Sequence, residues 1–70
     1  MFWWFERSGR YLRCEILQLS SESYELRVVD PDGNERIEQF VDCSELARRQ
    51  QAVQDGLAAT GWTGPHGWVL

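Results

Sequence analysis

Lysine is missing from this chain, and all seven basic residues are arginine. Genome composition is the simplest source of such a bias, although arginine is also the cation suited to stacking and bidentate contacts. The single histidine, His66, and the two cysteines, Cys14 and Cys43, are too widely separated to form any of the close Cys or His pairs that mark a zinc site, so no metal is expected. No apolar run reaches the length of a membrane span. Met1 is followed at once by Phe-Trp-Trp-Phe-Glu, without the basic start and apolar core of a signal peptide. The expectation is a cytoplasmic protein away from the membrane, with both thiols reduced.

Motifs for chemistry are equally scarce. No serine or cysteine stands in a nucleophile motif, and no two carboxylates share a diagnostic spacing. Gly61-Trp62-Thr63-Gly64 has no helix after it to aim an N-terminus at a phosphate. A general base would be sought first at His66, within Gly64-Pro65-His66-Gly67, but a loop histidine that packs or hydrogen-bonds locally is the plainer reading. The expectation is therefore a non-enzymatic protein without a cofactor.

What the chain does have is aromatic surface. Four Trp, two Tyr and three Phe lie in 70 residues of which 43% are hydrophobic. A chain this size forms one domain, residues 1–70, and buries only about 60% of the surface its unfolded form exposes, so a partner surface is a ready supplement to stability. The net charge of −4 and a pI near 4.8 repel a phosphate backbone, so nucleic acid is a disfavoured partner.

The longest helical pattern covers residues 42–61. Asp42 and Glu45 have capping-box spacing, with Ser44 as a competing cap. Leu46, Gln50, Val53 and Leu57 fall on one stripe, while Arg48, Gln51, Asp55 and Ala59 point away. Gly61 is placed for a left-handed C-terminal residue, with Trp62 folding back over the last turn. Gly56 interrupts this pattern, and close packing against a strand would account for it.

Everything before the helix reads as strand. Residues 2–7 and 10–17 flank Ser8-Gly9 as a hairpin, which sets Arg7, Phe5 and Trp3 against Arg10, Leu12 and Cys14, and Glu6, Trp4 and Phe2 against Tyr11, Arg13 and Glu15. The first set is the more apolar and, with Ile16, should lie under the helix. Residues 18–22 read as a polar connection. Residues 23–30 and 35–41 form a second hairpin around Asp30-Pro31-Asp32-Gly33-Asn34. A four-residue loop, favoured because it sets Val28 against Ile37, Tyr24 against Val41 and Arg27 against Glu38, leaves Phe40 on the exposed face. A three-residue loop would set Leu26 against Glu38 instead.

These readings combine into an α+β domain. Four strands pair in sequence as an antiparallel meander, one C-terminal helix packs on one face, and a Gly/Trp-rich tail, residues 60–70, is ordered against the domain. Phe2, Trp4, Tyr11 and Phe40, interleaved with Arg13 and Arg27, make up the exposed sheet face. Such a set suits the centre of a homodimer or a contact with another protein, or a platform for unpaired bases. Alternatively Trp4 stacks on Arg13 and the tail, through Trp62 and Trp68, covers the rest. A small-molecule or catalytic site at the tail would be built on His66.

The order of four meander strands and one helix resembles that of single-stranded nucleic-acid-binding modules of the Whirly and PUR type. The resemblance, which is one of element order, implies a nucleic-acid-binding sheet as the second expectation. The first is a small interaction module that self-associates through the aromatic sheet face or an edge strand.

Overall fold

A computed structural model describes the backbone of residues 1–69 and the side chains of residues 1–67. The sheet has five strands where four were expected. They are β1 (Phe2–Arg7), β2 (Arg10–Ser20), β3 (Ser23–Val29), β4 (Glu35–Phe40) and, after the helix α1 (Cys43–Ala59), β5 (Thr63–Val69). The spatial order is β4-β3-β2-β1-β5, and every described pairing is antiparallel.

Helix length explains this order. Seventeen residues rise about 25 Å, and the four inter-strand steps from β4 to β5 span about 19 Å. One helix therefore carries the chain from one edge of the sheet to the other. Asp42 starts it, accepting the Ser44 backbone N–H at 2.8 Å and the Ser44 hydroxyl at 2.7 Å, so Ser44 lies inside the helix. At the other end Gly61 takes a φ of 91°, its N–H bonds Ala58 O, and the Trp62 N–H bonds Leu57 O. This is a Schellman ending, and it turns Trp62 back onto the core.

The β1–β2 register follows the expected pairs from Phe2↔Glu15 to Arg7↔Arg10. Ser8 and Gly9 both take positive φ, 51° and 78°, the geometry of a two-residue type I′ turn whose twist matches the flanking strands. Strand β2 runs on to Ser20, through residues read from sequence as a connection. Backbone pairing with β3 sustains it there, and polar Gln18 and Ser20 do not interrupt a ladder made of main-chain groups.

The β3–β4 register differs from the favoured one by one residue. Leu26 lies opposite Glu38, Tyr24 opposite Phe40 and Arg27 opposite Ile37. The cause is in the turn. The Asp30 N–H bonds Asn34 O at 3.0 Å, which closes a three-residue loop, and Gly33 takes the left-handed position at φ 89°. The Asp30 carboxylate accepts the N–H groups of Asp32 and Asn34, both at 2.9 Å. Local turn chemistry prevails over cross-strand charge matching.

The core is Trp3, Phe5, Leu12, Cys14, Leu26 and Leu46, with Ile16, Tyr24, Val28, Phe40, Val53, Leu57 and Trp62 packed around it. The register shift thus moves Phe40 from the expected outer face to the helix face, and Glu38 with it. Arg49 of the helix donates through Nε to both Glu38 oxygens, at 2.9 and 3.1 Å, and ties α1 to β4. Burial pushes the Cys14 thiol up to about 12 from an ordinary 9.0.

The tail is a strand, and its glycines and proline explain why it did not read as one. Pro is tolerated at an edge, where its missing N–H breaks no ladder. A Cβ at Gly64 would lie 2.8 Å from the Phe5 ring, and one at Gly67 would overlap the Trp4 indole. Both glycines admit β1 aromatics against the β5 backbone.

Candidate interaction face

With Trp3 and Phe5 committed to the helix side, the alternate residues of each strand form the opposite face. Phe2 and Trp4 come from β1, and Tyr11, Arg13, Glu15 and Leu17 from β2. β3 supplies Glu25, Arg27 and Val29, and β4 supplies Glu35 and Ile37. No helix lies over this face among the described residues.

Its aromatic end is continuous. The rings of Phe2 and Trp4 are 6.1 Å apart between centroids, and those of Trp4 and His66 are 6.3 Å apart. The Trp4 indole also seals against Gly67, and this contact half-buries it. Tyr11 is 55% and Ile37 46% exposed, so both stand largely in water on this face. Tyr11 therefore lies where expected, Phe40 does not, and Ile37 takes its place. Ile37 was missed because the favoured register turned it towards the core.

The charges are mixed and on balance acidic. Glu6, Glu15, Glu25 and Glu35 stand against Arg13 and Arg27. Arg27, expected opposite Glu38, instead bonds Glu25 at 3.1 Å and lies 3.9 Å from Glu35. Its Nε is buried without a hydrogen-bond partner among the described residues. A shallow cavity of about 110 Å³ lies beside it, between Phe2, Arg13, Glu15 and Val29. Arg13 is exposed and, among the described residues, takes part in none of the ion pairs.

His66 is on β5, opposite Trp4. Its Nε2 lies 3.3 Å from the Thr63 hydroxyl, which itself donates to Glu6 O at 3.1 Å. The Thr63 hydroxyl thus links the His66 ring to the β1 backbone. The histidine thereby buttresses the β1–β5 edge. Trp62 packs on the helix side, away from this face. The side chain of Trp68 lies outside the described residues.

Among the described residues, no three His, Cys, Asp or Glu side chains gather where they could hold a metal ion. No described helix is long and apolar enough to cross a membrane. Cys43 is exposed and donates from Sγ to the Tyr24 hydroxyl at 3.0 Å, and this bond raises the pKa of the Tyr24 phenol. A second concavity, on the helix side, went unforeseen: an open groove of about 430 Å³ between α1 and the β3–β4 hairpin. Gly56 was its only sequence signal.

Comparison with protein-family models, with curated proteins and with solved structures gives no match. The fifth strand also sets the element order apart from four strands followed by a helix.

Proposed function

We propose that the protein is a non-enzymatic interaction module that self-associates through the outer face of its sheet, with Tyr11, Trp4, Phe2 and Ile37 at the centre of the contact. The outer sheet face, over which no described element packs, carries this reading. A five-stranded sheet with one face packed and the other covered by no described element leaves apolar side chains in water that a second copy would remove. The molecule measures 38 × 21 × 20 Å, so the face offers at most on the order of 800 Å², about one partner's share of a standard interface.

The edge strands are weaker candidates. β4 carries Glu35, Arg36 and Glu38, and β5 carries Pro65 and register breaks on either side of its Trp4 pairing. Charge, proline and bulges are the devices by which edges resist pairing. On the face itself, Arg13 and Glu15 alternate along β2, so a two-fold axis through its middle would bring each arginine to the other copy's carboxylates. The acidic excess that suits such mutual pairing repels a nucleic-acid strand, and Arg27 is already occupied by Glu25. Base stacking therefore remains second. The setting proposed is cytoplasmic.

Substitution at the freest aromatic tests the reading. Tyr11→Glu, at a side chain more than half exposed, should convert a dimer to a monomer by size-exclusion chromatography with light scattering. A variant that elutes with the wild-type mass would count against the face. Tryptophan quenching by oligonucleotides at low salt, relieved as salt is added, would favour the second reading instead.

A further inference from the structure

The groove on the helix side has an apolar floor of Leu12, Val28, Val53 and Leu57, opened by Ala52 and Gly56 of α1. Glycine inside a helix costs about 1 kcal/mol relative to alanine. Close packing does not account for Gly56, because a Cβ there meets nothing within 4 Å. Its effect is to leave the groove wide.

The rim charges are unequally engaged. Asp30 is held by the N–H groups of its own turn, Glu38 by Arg49, and Glu35 lies towards Arg27 on the far side of the sheet. Arg36, opposite Val28 on the groove side, takes part in none of the ion pairs among the described residues. One uncommitted guanidinium thus stands at the mouth of an apolar channel.

We propose that this groove binds an amphipathic monocarboxylate, with its apolar chain along Leu12, Val28, Val53 and Leu57 and its carboxylate paired with Arg36. The volume falls within the roughly 300–1,000 Å³ of small-ligand sites. Arginine matches a planar carboxylate through two parallel N–H donors. A cationic amphiphile would bring its charge beside Arg36, and a doubly charged headgroup would press against Glu38. The groove lies across the sheet from the proposed self-contact, so the two ideas stand or fall separately.

The test is a titration of the isotope-labelled protein with decanoate, below its micelle concentration, followed by amide NMR shifts. Saturable shifts at Arg36, Ala52 and Gly56 are expected, with none from decyltrimethylammonium. Arg36→Gln should weaken decanoate binding roughly tenfold. Gly56→Leu, which fills open space with a better helix former, should keep a dispersed folded spectrum and lose the shifts. Shifts that do not saturate, that fall on the outer face, that the cation reproduces, or that survive Arg36→Gln unchanged would overturn the proposal.

Discussion

The Trp4 indole occupies the space that any side chain at position 67 would need, so Gly67 and Trp4 form one packing unit across the β1–β5 pair. Gly67 also has a φ of 66°, which a residue with a Cβ adopts at a cost. Gly67→Ala should therefore lose about 2 kcal/mol or more in urea denaturation, from overpacking and backbone strain together. Trp4→Ala should relieve the overpacking part. The double mutant should consequently be more stable than the sum of the two single losses implies, and simple additivity would mean that the ring does not rest on Gly67.

At Gly56 the opposite sign is expected. With open space at its Cβ and an ordinary helical backbone, Gly56→Ala should gain about 1 kcal/mol, read as a higher urea midpoint at unchanged m-value. A loss would indicate that the helix packs more closely than described.

The registers of the two hairpins show where the sequence was legible and where it was not. Ser8-Gly9 admits one tight turn, and each pair of β1 and β2 follows from it. Around Pro31 two loop lengths were consistent with the residues, and side-chain matching favoured the wrong one. The deciding interactions, the Asp30–Asn34 main-chain bond and the left-handed Gly33, depend on turn geometry that side-chain pairing does not report. Phe40, Glu38 and Ile37 changed faces as a result, and with them one member of the candidate site. β5 was hidden for a different reason. Glycine and proline argue against a strand until the rings they accommodate, Phe5 and Trp4, are known to lie alongside.

The new register makes its own prediction. Glu38 should couple to Arg49 by about 0.5 kcal/mol in a double-mutant cycle, a modest value because both side chains are about one-third exposed. Glu38 and Arg27 should show no coupling. Coupling to Arg27 instead would restore the four-residue loop.

Stability should fall at both ends of the pH range. Hydrogen bonds from the Ser44 hydroxyl and N–H hold Asp42 below the usual carboxylate range, and the N–H of Asn34 does the same for Asp30. Their contribution is present above the unfolded carboxylate pKa and lost as pH falls through the lower folded values. Cys14 acts in the other direction. Its folded pKa of about 12 lies above the ordinary 9.0, so its contribution is complete below pH 9 and declines as pH rises towards 12. Urea midpoints measured between pH 8 and 11 should fall, and Cys14→Ala should flatten that decline. A thiol reagent at pH 8 should modify Cys43 alone in the folded protein, and both cysteines in denaturant.

Self-association through the outer sheet face is the central claim, and sedimentation equilibrium of the wild-type protein over a range of micromolar concentrations tests it most directly. The account predicts a mass that rises with concentration to that of two chains and stops there, as closed two-fold contact requires. A single-chain mass at every concentration would contradict it.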